Sequence, residues 1–273
     1  MSNLSNIGFD VASEEAFMGL IEAVYSRCSE IPVSGGTYLL FEDPSGAELW
    51  LQMNAQNECI GANPHFRGTS RRRVRITAPV ERHESELDGA LHGWANPIED
   101  PNEDPNEDTT EDANEDANED AGAESGDCPF VFDVPDFFVH AGMVLPRIVD
   151  VQLSAFAQDC SYFRDEAEFA AKQDSEPRWA SKSFVPTGLF NPGEDEPDPD
   201  PPEALALFAG EIVEVHRQTN QFTGVDFYWL LLETFGGAID AVADLRYFEE
   251  EPRPGGILFG DFWLTGRLSD QSV

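Results

Sequence analysis

The sequence predicts an α+β protein: an N-terminal sheet domain over residues 1–146, then a β-rich domain over 147–273. Three observations carry that expectation. Stretches with strict period-2 alternation recur along the chain, one segment near the start has the 3.6-residue period of a helix, and two acid-rich tracts interrupt the pattern.

Ile7, Phe9 and Val11 alternate with Gly8 and Asp10 and are expected to open the fold as a strand. Ser13 is placed to cap a helix, with Glu14 and Glu15 at its positive end and Phe17, Leu20, Ile21, Val24 and Cys28 along one face. Pro32 and the Gly35-Gly36 pair end it. Tyr38–Phe41 and Ala47–Met53 then form a hairpin around the turn Asp43-Pro44-Ser45-Gly46, giving the order β-α-β-β. Ala47, Leu49, Leu51 and Met53 share the apolar face, which leaves Trp50 on the other. After an irregular stretch, Val74, Ile76, Ala78 and Val80 alternate again, HESELDGALHGW suits a short helix or turn, and Phe130, Phe132 and Val134 alternate once more.

Val149, Val151, Leu153 and Ala155 form the next strand face, with a short helix over 165–173. SFVPTGLF follows as a strand that Pro186 confines to an edge. The last segment reads as four strands, in ALALFAGEIVEV, VDFYWLLLE, AIDAVAD and GGILFGDFWLTGRL, with Gly210 and Gly260 marking bulges or corners.

The formal charge is -37, and residues 98–127 hold 14 of the 53 acids and none of the 16 bases. Within them, IEDPNEDPNEDTTEDANEDANEDA is six tetrapeptides, each with Glu-Asp at its centre. Helix is disfavoured there, because a four-residue repeat stacks Glu on Glu and Pro101 and Pro105 break the turn. The tract is expected to be a disordered insertion between neighbouring strands, where length costs only about 0.6 kcal/mol per doubling. The Pro/acid stretch 193–203 is expected to be a second linker. Asp100-x-Asn102-x-Asp104 imitates the start of a calcium loop, but the sixth position is Pro105 where the turn needs Gly. Diffuse cation attraction is therefore expected, and no specific metal.

So acidic a surface repels nucleic acid and anionic membrane, since binding either requires counterion release by Lys and Arg. Only two bases are lysines, Lys172 and Lys182. Acid excess with little lysine suggests a chain adapted to high salt; thermal unfolding is then expected to shift upward from low to molar salt, and indifference to salt would count against the idea. The chain shows no secretory leader pattern and no 18-residue apolar run, and Cys28, Cys59, Cys128 and Cys160 are widely spaced. A cytoplasmic protein with reduced thiols is expected.

IGFDV, a helix and GTYLLFEDPSGAELWLQ together resemble the opening of a vicinal-oxygen-chelate (glyoxalase/bleomycin-resistance) module, over roughly residues 4–140. The resemblance implies a sheet whose strands supply metal ligands. Here those positions offer only Asp10, Glu48 and Gln52, with no strand histidine, so the metal role is not carried over. The C-terminal segment resembles an OB-type small barrel by its strand order and glycine-punctuated last strand. Such domains bind single strands on a basic, aromatic groove; here Phe227, Tyr228 and Trp229 stand among acids.

Two residue sets remain. Arg67, Arg71, Arg72, Arg73 and Arg75, in HFRGTSRRRVRI, form the one basic cluster: an anion pocket that also uses His65, or an outer strand face on which Arg73 and Arg75 pair with carboxylates. His83, Glu86 and His92 offer a His/carboxylate metal set, or a solvated face; no metal is expected there by default, and no cofactor motif occurs. The functional expectation is a non-catalytic protein acting through protein or small-ligand contacts, the alternative being a metal-dependent enzyme or binding protein of the vicinal-oxygen-chelate type.

Overall fold

The computed structural model describes residues 3–82, 85–97, 126–173, 178–190 and 200–269. Among these residues it is mostly β, with two α-helices, which is compatible with the α+β class. Most of the acidic repeat (98–125) and much of the second tract (191–199) lie outside the described residues.

Residues Asn3–Ile7 form a 3-10 helix and 8–11 a turn and loop, where a strand was expected over 7–11. The alternation there reflects burial, not extension: Ile7 and Phe9 are fully buried while Asn6 reaches across to the carbonyl of Ala157 at 2.8 Å. Helix α1 (Glu14–Tyr25) begins at Ser13, whose hydroxyl accepts from the Ala16 amide at 3.2 Å. It buries Leu20, Ile21 and Val24. Next comes a four-stranded antiparallel sheet, β1 (Ser29–Val33), β2 (Gly36–Glu42), β3 (Ala47–Asn54) and β4 (Cys59–Phe66), paired in that order. The β2–β3 hairpin matches the sequence expectation. Strands β1 and β4 do not; Pro32 and Pro64 obscured them, and β1 is an edge strand, where proline is tolerated.

The other nine strands are β5 (Arg72–Glu81), β6 (Gly89–Ala95), β7 (Cys128–Asp133), β8 (Arg147–Phe163), β9 (Ser183–Val185), β10 (Leu205–Thr219), β11 (Asp226–Thr234), β12 (Gly237–Asp244) and β13 (Ile257–Ser269). Helix α2 (Glu166–Ala171) follows β8. These strands form one sheet, and its pairings close two five-strand rings. One ring runs β5–β6–β7–β13–β8 and returns to β5; the other runs β10–β11–β12–β8–β13 and returns to β10. The rings share the long antiparallel pair β8–β13. In each, the first strand of a three-strand meander joins one member of that pair antiparallel, and the third joins the other in parallel. The rings thus have the same connectivity, with β8 and β13 exchanging roles.

The expected boundary at 146/147 falls inside this sheet, since β5 and β7 from before it pair with β8 and β13 from after it. Local sequence patterns do not report pairing between distant strands. The segment HESELDGALHGW, expected as helix or turn, supplies β6. The acidic tract joins β6 to β7, whose last pair is Ala95 with Cys128, so it spans the end of one hairpin as the sequence suggested. At Gly260 a Cβ would lie 2.1 Å from the Asp159 carbonyl, where β8 and β13 approach closely beside the register shift at Asp261.

Candidate functional site

Both faces of the four-stranded sheet are covered. Leu39, Phe41, Leu49 and Leu51 pack with α1 and with Phe227 and Trp229 of β11. The opposite face carries Tyr38, Trp50, Glu48, Gln52, Asn63 and His65. Trp50, which the alternation left over, is fully buried there. The Tyr38 hydroxyl donates to Leu87 O at 2.8 Å and accepts from the Phe138 amide at 3.2 Å. Asp88 accepts from Asn63 at 2.6 Å and from Gln52. The sheet thereby fixes two segments of the first ring: the β5–β6 loop and the 3-10 turn Phe137–His140 after β7.

Between those segments lies a cavity of about 450 Å3. Leu91, Phe137, Phe138, Met143 and Leu145 make its apolar walls, and Glu81, Glu86 and Asp88 bring three carboxylates to it. Its one described arginine is committed elsewhere: Arg82 pairs with Asp133 at 2.8 Å and donates to Pro202 O at 2.7 Å. Glu81 and Glu86 are exposed and form no ion pair with the described residues.

His140 also lines the cavity, and behind it a row of charges enters the protein. His140 Nε2 is 3.7 Å from Asp136 Oδ1, Asp136 Oδ2 is 3.5 Å from Arg267 Nε, and Arg267 Nη1 is 3.6 Å from Glu48 Oε2. Arg267 also lies over the Trp50 ring, 4.8 Å from its centroid, and the Trp50 indole donates to Glu48 at 3.1 Å. Burial pushes the Glu48 carboxyl up, and Arg267 and the indole only partly offset it. Burial pushes Asp136 the same way, but His140 and Arg267 more than compensate, so its carboxyl is held below the ordinary value.

The basic cluster does not converge. His65 is fully buried, 2.7 Å from Thr265 Oγ1 and 3.0 Å from Gln152 Oε1, and burial first, then Arg267, lowers its pKa to about 3. Such a histidine is neutral and holds no anion. Arg67 pairs with Glu42, Arg71 folds onto Ser70 O, Arg73 stands across from Asp150, and Arg72 turns inward to the β11–β12 hairpin. Arg67 and Arg71 precede the strand, Arg72 and Arg73 leave β5 in opposite directions, and Arg75, expected beside Arg73 on an outer face, is buried, so a cluster in sequence becomes separate contacts. Of the other set, His83 lies outside the described residues, Glu86 is exposed at the cavity, and His92 sits on β6 against the Thr77 hydroxyl at 2.6 Å.

Asp10 is exposed in the loop before α1, whereas Glu48 and Gln52 are buried on β3. Among the described residues, no group of three or more His, Cys, Asp or Glu side chains is placed to share a metal. Sequence spacing gave no sign of Asp136 with Arg267, because 131 residues separate them. No described helix is long and apolar enough to cross a membrane. Comparison of the chain with family models, with curated proteins and with solved structures found no match.

Proposed function

We propose that the chain is a non-catalytic binding protein and that the cavity beside Asp88 receives a small amphipathic cation. The observation that carries this reading is the cavity's composition: aromatic and aliphatic walls, with Glu81, Glu86 and Asp88 at its edge and the neighbouring Arg82 neutralised by Asp133. An ammonium or guanidinium group meets carboxylates there while its hydrocarbon part meets Phe137, Met143 and Leu145. The four free thiols support a reducing, cytoplasmic setting.

The ring containing β10–β13 supports the OB-type likeness in having five strands, but its aromatics do not suit nucleic acid. Phe227 packs on Phe66, Tyr228 packs on Phe248, and the Trp229 indole donates to Asp240. Each is nearly or fully buried, leaving no stacking platform.

Titrating the protein with aryl- and alkylamines and with the matching carboxylates tests the reading. The amines are expected to bind and the carboxylates not, and Glu81→Gln with Glu86→Gln to weaken the amines by roughly threefold to tenfold, as partly solvated charge pairs do. Equal binding of both series, or of neither, would refute it.

A further inference from the structure

Residues 137–146, FFVHAGMVLP, carry no Asp, Glu, Lys or Arg, in a chain that holds 53 acids. They form the 3-10 turn Phe137–His140 and the run into β8, and they make one wall of the cavity beside Asp88. Phe137, Phe138, Met143 and Leu145 line the cavity, whereas Val139 and Val144 do not. Val139 is 49% exposed and Val144 82%, and Ala141 and Gly142 between them are exposed as well. The cavity's apolar wall thus has an apolar outer surface. On a protein covered in carboxylates, a contiguous stretch of this kind marks an interaction surface.

A free amine in the cavity leaves Val139 and Val144 in water. A second copy of the chain is a poor cover for them, because two chains of charge -37 repel each other, and an anionic lipid surface is repelled for the same reason. The occupant that suits both halves brings a cation to Glu81, Glu86 and Asp88 and apolar groups to the outer wall. A polypeptide segment supplies both. The amides of Gly142 and Val144, which have no hydrogen-bond partner among the described residues, are open to its carbonyls.

We propose that this wall is the docking surface for a basic partner protein. One lysine or arginine of the partner enters the cavity, and the apolar residues beside it lie on Val139 and Val144. The inference rests on the reading of the cavity as a cation site and names what carries the cation. A cavity of about 450 Å3 is small for a ligand pocket, the scale of one long side chain and not of a folded element. The acidic field of the whole chain steers such a partner inward, and the exposed Arg147 beyond the wall is outnumbered by the three carboxylates.

The test titrates the full chain with n-butylamine, with a blocked pentapeptide that has lysine between two leucine pairs, and with the same peptide carrying norleucine for lysine. The lysine peptide is expected to bind about tenfold tighter than the amine, and the norleucine peptide to lose most of that affinity. Val139→Ser with Val144→Ser, both at exposed positions, is expected to weaken the lysine peptide by roughly threefold to tenfold and to leave n-butylamine binding and the unfolding midpoint unchanged. Failure of n-butylamine to bind refutes the reading of the cavity, and the docking falls with it. With n-butylamine bound, a lysine peptide no tighter than the amine, or one indifferent to the two valines, overturns the docking alone. Equal binding of the lysine and norleucine peptides overturns it too, since the cation is then not the anchor. Self-association of the chain that the valine variant abolishes overturns it in favour of a second copy.

Discussion

Asp240→Ala is expected to cost about 4 kcal/mol of unfolding free energy, a large part of the total for a domain of this size. Asp240 is fully buried on β12, where that strand pairs in parallel with β8. Its Oδ1 accepts from the Thr69 amide at 3.0 Å and the Trp229 indole at 2.8 Å. Its Oδ2 accepts from the Ser70 amide at 2.9 Å, the Ser70 hydroxyl at 2.6 Å and Gln152 Nε2 at 2.8 Å. Removing the carboxylate leaves these donors buried without an acceptor, and each stranded donor costs about 1–3 kcal/mol before relaxation. The chain wraps so closely that a Cβ at Gly68 would fall 2.0 Å from Asp240 Cγ, so Gly68→Ala is expected to disturb the same contacts. Urea unfolding of both variants provides the check. A loss under 1 kcal/mol for Asp240→Ala would mean that the carboxylate does not hold the ring junction together. Asp133 stands in the matching position of the first ring, at the β7–β13 pairing, and accepts from the Trp263 indole at 2.5 Å and from Arg82.

The second large effect is one of pH. Gln152 gives its Nε2–H to Asp240, so its Oε1 faces His65 and accepts from the imidazole Nε2–H, while Nδ1 accepts from Thr265. The folded protein thus holds His65 neutral down to about pH 3, whereas the unfolded chain protonates it near its ordinary value of 6.5. A group depressed in the folded state contributes stability that is complete above the unfolded pKa and is lost as pH falls toward the folded one. Between pH 6.5 and about 3 the unfolded state binds the extra proton, and stability declines by up to ~1.4 kcal/mol per pH unit. Burial raises Glu48 and Asp133, whose contribution has the opposite sign and is lost as pH rises through their folded values. Comparison with His65→Gln isolates the histidine, since both carboxyls remain in either protein. The gap in unfolding free energy between wild type and His65→Gln is expected to shrink from pH 6.5 to 4; a constant gap would show that His65 is protonated in the folded state.

Local signals were legible where a residue's partners lie close in sequence. Ser13 marked the start of α1, and the alternation from Ala47 to Met53 marked β3. Leu49 and Leu51 faced the core as expected, but nothing local revealed that Trp50, Glu48 and Gln52 on the opposite face are buried too. That face is covered by segments such as Leu87 and Phe138, and its polar side chains are paired with residues far along the chain. His65 meets Thr265 across 200 positions, and Ser70 meets Asp240 across 170. Spacing rules see neighbours in sequence, so they grouped Arg71, Arg72 and Arg73 and could not see that Arg71 folds back onto Ser70 while Arg72 and Arg73 leave β5 in opposite directions. The glycines of GALHGWA concealed β6 for a related reason. Gly93 is there because a Cβ would lie 2.6 Å from Val74, a demand of packing that local propensity does not record.

Both rings contain β8 and β13, and β13 is formed by residues Ile257–Ser269. During synthesis, then, neither ring can close until that strand has left the ribosome, although the first meander is complete at Asp133. For the more than one hundred residues in between, the nascent chain carries strand edges and Phe130 and Phe132 without their final neighbours. At about 5–20 residues per second, that interval lasts several seconds or longer. A growing chain of this topology is protected by the repulsion among its many carboxylates, which keeps unfinished copies apart. The acidity that makes the sequence unusual therefore serves the half-made protein as well as the finished one.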